Sequence, residues 1–354
     1  MTVRRLITGK SKKTLQKSLV IGLLLIAVSG FVSMPALAAQ DFSELFEKID
    51  PSVVTIETKE IVGSDSGPRQ QGGIGSGVII DDDGLIMTAA HVVHTADRIQ
   101  VKFVGGETVS AQVVSSVRGA DVALLKVEKI PESAAVATIG DSKAAKTGAI
   151  ALVIGAPLGV EHSLSIGHIS GKATRSVIAG GAALRLVQTD ASINPGNSGG
   201  PLFNQEGEVI GIVSHILSKS GGSDGIGFAV AINDAKRILL EGTAFWTGFE
   251  GEILSPAIAK MFNVKQESGL LVQRVRQGSL ADKAGLKGGQ IKIKVFGKDL
   301  WIGGDIILEI QNTICMSTHC FVAIRKTIDG LEPGDNVTLK VLRGGEIVEL
   351  IVQL

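Results

Sequence analysis

A mainly β protein of two domains is what the residue pattern predicts, on three observations. Short apolar or alternating runs, at least ten before residue 233, are separated by Gly, Asp and Ser, a spacing that describes a sandwich or a pair of barrels rather than a parallel α/β sheet. Glycine occupies 45 of 354 positions, well above the usual ~7%, as many tight turns require. Aromatic residues make up 4% with no Tyr, so the core is built from Val, Ile, Leu and Ala, whose β-branched members favour strands. A chain of this length exceeds one ordinary domain.

The N-terminus reads as a secretory signal over residues 1–38. Arg4, Arg5, Lys10, Lys12, Lys13 and Lys17 form a basic stretch, Leu19 to Val32 is apolar, and Ala36 and Ala38 suit a peptidase that cuts after Ala38. The apolar run spans about 14 residues, short of the ~20 that cross a bilayer; the competing reading is an uncleaved anchor. Apolar residues at Phe42, Leu45, Phe46 and Ile49 have helical spacing. Strands follow over Val53 to Ile56, Gly77 to Ile80, Leu85 to Met87, Ile99 to Phe103, Val109 to Val114 and Val122 to Val127. The series continues over Ala149 to Ile154, Leu184 to Val187, Val209 to Val213 and Ile226 to Ile232. A helix capped by Asn233, with Ala235, Ile238 and Leu239 on its apolar face and a stop at Gly242, closes a first domain of residues 39–242. The stretches Val62 to Gly75 and Ser218 to Asp224, rich in small polar residues, read as mobile loops.

The pattern then changes. A second domain, residues 243–354, reads as a strand (Leu270 to Val275), a short helix (Ser279 to Ala284, ended by Gly285), a strand (Asp305 to Ile310) and a helix from about Ser317 carrying Phe321, Ile324 and Ile328. A hairpin follows, Val337 to Leu342 and Ile347 to Val352, turning at Arg343-Gly344-Gly345. Around 289–302, Ile291, Ile293 and Val295 alternate with Lys292 and Lys294 before Leu300-Trp301-Ile302, an extra hairpin.

Charge and cysteine usage exclude some classes. The formal net charge is zero, and the remainder beyond the signal is mildly acidic with no Lys/Arg cluster, which argues against nucleic-acid binding. Cys315 and Cys320 could pair in an oxidising compartment or stay free thiols; neither arrangement resembles a zinc site. His91 and His94 form an H-x-x-H pair, one residue short of the zincin spacing and without its Glu, so no metal or other cofactor is expected. His94 is expected on the surface and His215 on the rim of a substrate strand.

Three segments carry chemistry: Thr88-Ala89-Ala90-His91-Val92-Val93, Gly119-Ala120-Asp121-Val122-Ala123-Leu124-Leu125 and Asn194-Pro195-Gly196-Asn197-Ser198-Gly199-Gly200-Pro201. Singly each has a bland reading as strand end, turn or loop. Together they supply base, carboxylate and nucleophile in the chain order His, Asp, Ser, which chymotrypsin-like barrels use and subtilisin and α/β-hydrolases do not. A serine hydroxyl needs an imidazole to take its proton, and the imidazole needs a carboxylate to fix its tautomer. Gly196 lets the chain aim its amide beside that of Ser198 at an oxyanion. Gly199 and Gly200 are expected to let backbone pass beneath the substrate.

These segments, above all Gln188 to Leu202, together with Gly225-Ile226-Gly227-Phe228-Ala229-Val230-Ala231-Ile232, resemble the HtrA (Deg) family of serine proteases over nearly the whole chain past the signal. The resemblance implies a chymotrypsin-like pair of six-stranded β-barrels, then one PDZ domain, an α+β, five- to six-stranded partly open barrel with two helices. It implies a catalytic triad of His91, Asp121 and Ser198, an oxyanion hole of Gly196 and Ser198, and a primary pocket walled by Ile193, Ile216 and Leu217. Such a pocket takes small aliphatic side chains. In the PDZ domain, Trp246-Thr247-Gly248-Phe249 would receive a peptide C-terminus, with Phe321 and Ile324 on the opposite wall and Glu250 to Leu254 offering a strand edge; the hairpin near 289–302 departs from the family pattern. The implied protein is an ATP-independent periplasmic endopeptidase that degrades misfolded proteins as a homotrimer, with Phe42 and Phe46 at the trimer contact. Its alternatives are a membrane-anchored stress sensor that cuts one partner, and a protease that also chaperones.

Overall fold

The structure is a computed structural model that describes residues 41–62, 69–159, 162–176, 183–216, 222–241, 246–314, 331 and 334–353. The signal, Leu217, both cysteines, Phe321, Ile324 and Ile328 lie outside these residues. Among the described residues no helix is long and apolar enough to cross a membrane.

Strands β1 (Val53–Val62), β2 (Arg69–Ile79), β3 (Leu85–Thr88), β4 (Arg98–Lys102), β5 (Thr108–Val117) and β6 (Val122–Val127) close a barrel in the order β1-β2-β3-β6-β5-β4. Their inward residues, among them Ile56, Ile79, Ile86, Val101, Phe103 and Leu125, form one buried cluster. A second closed barrel, ordered β10-β11-β12-β9-β8-β7, contains β7 (Ile150–Gly155), β8 (Ser163–Ser176), β9 (Ala183–Thr189), β10 (Pro201–Phe203), β11 (Val209–Ile216) and β12 (Gly227–Ala231). Closure removes every free edge, which is how antiparallel architectures protect their unpaired backbone groups.

Five helices of four to eight residues are described. They are α1 (Ser43–Ile49), α2 (Ala90–Val93), α3 (Ile232–Leu239), α4 (Pro256–Met261) and α5 (Leu280–Lys283). The expected cap of α3 is corrected: Ala231 is its N-cap, with no side-chain bond. Asn233 instead faces the neighbouring turn, where its Oδ1 accepts from the Ser142 amide at 3.1 Å and its Nδ2 donates to Asp141 at 2.8 Å. At the N-terminus Phe42 is buried and Phe46 half-buried. The glycine-rich stretch before residue 76 is no loop from Arg69 onward, because residues 69–75 pair with β1 as an antiparallel strand.

The C-terminal sheet is ordered β13-β14-β17-β19-β20, from β13 (Phe249–Ile253), β14 (Leu270–Val275), β17 (Ile306–Ile310), β19 (Asn336–Arg343) and β20 (Glu346–Gln353), with β18 (Thr313–Ile314) on β17. The extra hairpin forms as expected from β15 (Ile291–Val295) and β16 (Lys298–Ile302). Its turn residues Phe296 and Gly297 have φ of 48° and 81°, as a two-residue hairpin turn demands. Val295 and Leu300 pack with Leu254, Ile258 and Leu271, so the hairpin thickens the C-terminal sheet.

That sheet is seated on the first barrel. Arg118 pairs with Glu250 at 2.7 Å and Arg274 with Glu60 at 2.5 Å, while Arg276 donates to the Asp97 carbonyl at 2.5 Å.

Candidate active site

His91 sits in the single turn of α2, directly after β3. Asp121 closes the turn between β5 and β6, where its amide donates to the Arg118 carbonyl at 3.1 Å. This turn holds Asp121 at φ of 56°, a left-handed conformation that Asp tolerates better than most residues. Its carboxylate thereby points at α2: Oδ1 accepts from the His91 backbone amide at 3.1 Å, and Oδ1 and Oδ2 lie 2.9 and 3.0 Å from His91 Nδ1. Nδ1 therefore carries the proton, which leaves the Nε2 lone pair for the cleft. Burial pushes Asp121 up, but hydrogen bonds from His91 and Ser214 outweigh it and hold the carboxyl below the usual range.

Ser214 was not legible in the sequence. A bulge between Val213 and His215 on β11 turns its hydroxyl toward the carboxylate, and it donates to Asp121 Oδ2 at 2.5 Å. His215 lies beside it, Nδ1 at 3.0 Å from Ser214 Oγ, its ring stacked on Phe228.

Ser198, Gly196, Pro195 and His91 line one cavity of about 300 Å³, whose other wall includes Thr58, Gly72, Gly73 and Ile74. Among the described residues no hydrogen bond joins His91 to Ser198. Gly196 has φ of 106°, a conformation that glycine adopts readily. Gly199 and Gly200 are closely hemmed in by neighbouring backbone. A Cβ on Gly199 would stand 2.1 Å from Thr88 Oγ1 and 2.4 Å from the Ser76 carbonyl, and one on Gly200 would meet the Ile154 carbonyl at 2.8 Å. The missing side chain lets the two barrels approach at Gly199 and clears the neighbouring strand β7 at Gly200.

Ile193 is buried in the second-barrel core, and Ile216 packs against the same cluster. A Cβ on Gly227 would stand 2.5 Å from Ile193 Cδ1, so the missing side chain makes room for Ile193.

His94 is buried, against expectation. Its Nδ1 is 2.8 Å from Ser116 Oγ and its Nε2 is 2.9 Å from the Phe249 carbonyl, which must be given a proton, so Nε2 is the protonated nitrogen. The Trp246 indole returns a bond to the His94 carbonyl at 2.9 Å. Burial drives the His94 pKa down to about 4. His91 and His94 thus face different partners, and among the described residues no group of three potential ligands could hold a metal ion. Of the segment expected to bind peptide, Trp246 and Phe249 contact His94 beside the first barrel, while the Thr247 and Gly248 carbonyls accept from the Ala281 and Arg276 amides.

This geometry has relatives. The domain family described as trypsin-like peptidase domain matches residues 75–212. The chain is 33% identical to the probable periplasmic serine endoprotease DegP-like of Hahella chejuensis, over 94% of this chain and 74% of that one. It belongs to the HtrA (Deg) family of serine proteases. The HtrA-type fold is matched by the solved structure of the HtrA-type protease AlgW with decapeptide, at a TM-score of 0.52 and 28% identity, covering 89% of this chain and 98% of that one. The periplasmic pH-dependent serine endoprotease DegQ of Escherichia coli is 33% identical over 88% of this chain and 69% of its own. This HtrA chain is accordingly a serine endoprotease, and its paired six-stranded barrels are those of its family.

Proposed function

We propose that this HtrA protease hydrolyses unfolded polypeptides through His91, Asp121 and Ser198. The observation that carries the reading is the His91–Asp121 pair opening, with its free Nε2, on the cavity that Ser198 also lines. Ser198 Oγ attacks the scissile carbonyl and passes its proton to His91 Nε2; Asp121 stabilises the imidazolium, and the amides of Gly196 and Ser198 receive the oxyanion. His91 then protonates the leaving amine, and water repeats the cycle on the acyl-enzyme. Ile193, Ile216 and Leu217 wall an aliphatic pocket that selects small aliphatic side chains, and exposed residues of that kind mark misfolded chains. No step calls for ATP.

The C-terminal domain, residues 243–354, is read as a PDZ domain that binds peptide C-termini at Trp246 to Phe249, between β13 and the segment carrying Phe321 and Ile324. Export through a cleaved signal, residues 1–38, to the periplasm and assembly as a homotrimer complete the proposal. Relatives named as periplasmic endoproteases support the location. Replacing Ser198 with Ala is expected to lower casein cleavage by at least ~10⁴-fold and abolish fluorophosphonate labelling; a purified variant that still cleaves would refute the scheme.

A second reading, a regulatory protease switched by its C-terminal domain, is favoured by the seating of Trp246 and Phe249 on His94, one turn beyond His91. If cleavage of a single partner is the task, casein turnover stays low until a C-terminal peptide is added. The N-terminal sequence of the mature protein distinguishes secretion, starting near Ala39, from anchoring, with Met1 retained.

A further inference from the structure

We propose that Ser76 is the positioning residue that holds the oxyanion loop, by a hydroxyl reaching from the first barrel into the second. The inference rests on the roles proposed for Gly196 and Ser198.

Ser76 lies on β2 and is fully buried. Its Oγ donates to the Gly196 carbonyl at 2.7 Å and accepts from the Ala156 amide, just past β7, at 3.0 Å. Its own amide donates to the Ser198 carbonyl at 2.8 Å. Its carbonyl accepts from Thr88 Oγ1 at 2.7 Å, and Thr88 ends the strand that leads into α2 and His91. One residue therefore bonds to both residues whose amides face the oxyanion and to the strand that delivers the base.

An oxyanion hole works only if its donors are aimed before charge develops. Glycine at φ of 106° has little intrinsic resistance to turning over, so neighbours must fix it. Holding the Gly196 carbonyl fixes the peptide plane that follows Gly196. Holding the Ser198 carbonyl fixes the plane that follows Ser198. Glycines clear the space for this contact: a Cβ on Gly155 would stand 2.8 Å from Ser76 Oγ, and one on Gly200 would stand 3.1 Å from Ser76 Cβ. Loss of the hydroxyl deprives a buried carbonyl and a buried amide of their partner without adding volume, and a buried polar group left unpaired is costly.

The test compares a transition-state mimic with an uncleaved ligand. In Ser76→Ala, kcat is expected to fall about 10- to 100-fold with KM within about twofold. Affinity for a peptide boronic acid, which forms a tetrahedral adduct on Ser198, should fall by the same factor. Affinity for the same sequence as an intact peptide, measured in a Ser198→Ala background, should stay unchanged. Gly155→Ala crowds both the hydroxyl, at 2.8 Å, and Asn197 of the same loop, at 3.0 Å, and is expected to lose kcat likewise, a measurement that stays available should Ser76→Ala fold poorly. Ser52→Ala also removes a buried hydroxyl-to-carbonyl bond, 2.6 Å to Ile49, away from the cleft, and should retain kcat. Wild-type kcat and boronate affinity in both Ser76→Ala and Gly155→Ala would overturn the inference, as would equal weakening of boronate and intact peptide. Cleavage by Ser198→Ala would instead refute the proposed chemistry, whatever Ser76 does.

Discussion

At the scale of single residues, the site depends on contacts that join distant parts of the chain. Ser214 donates to Asp121, and a bond to a charged group contributes roughly 1.5–3 kcal/mol. Ser214→Ala is therefore expected to lower kcat about tenfold with little change in KM, measured on a chromogenic peptide. His94 supplies a second prediction. Its folded pKa of about 4 lies below its ordinary value of 6.5, so the folded state binds fewer protons between those values than the unfolded one. The stabilisation is full above pH 6.5 and is lost as pH falls toward 4, amounting to on the order of 3 kcal/mol. His94→Gln keeps a donor for the Phe249 carbonyl without titrating, so its melting temperature should fall less than the wild type's between pH 6.5 and 4. The three residues of the proposed triad stand out in the sequence because each sits in a local motif with its own glycines or apolar flank. Ser76 and Ser214 do not, since nothing within a few residues of either announces a partner about a hundred positions away.

At the scale of elements, strands with inward Val, Ile and Leu were legible and strands held by backbone alone were not. β8 is interrupted by Gly167 and Gly171 and carries a register shift between Ile169 and Gly171, so its period-two signal is broken; β10 has only three residues. The glycine-rich start of β2 reads as loop for the same reason. In α3, Asp234 is buried and is held by Arg185 through Nη2 at 2.6 Å and Nε at 3.1 Å. A buried charge deprived of its partner is strongly destabilising. Because the Arg185 backbone amide at 2.7 Å and Arg237 at 3.7 Å also hold Asp234, Arg185→Ala is expected to cost about 1–2 kcal/mol in urea unfolding, and Asp234→Asn with Arg185→Ala together should cost less than the two single changes summed.

At the scale of the whole molecule, the seam between first barrel and C-terminal sheet is the part the sequence conceals most fully. Periodicity reports which face of an element is buried, but Arg118, Glu250, Arg274 and Glu60 look like ordinary surface charges until both domains are placed. The half-exposed Arg118–Glu250 pair should be worth under about 1 kcal/mol. Swapping it, Arg118→Glu with Glu250→Arg, should restore most of whatever either single change removes in peptide-stimulated activity. A double-mutant cycle checks this, and additive losses would show that the pair does not couple the domains.

The bond between His94 and the Phe249 carbonyl also orders events in time. Both barrels are synthesised before residue 249, so in the nascent chain His94 Nε2 and its carbonyl wait without the partners that Trp246 and Phe249 later bring. The turn that carries His91 reaches its final environment only when the C-terminal sheet has been made and has docked. The turn beside His91 is thus finished by residues about 150 positions further along the chain.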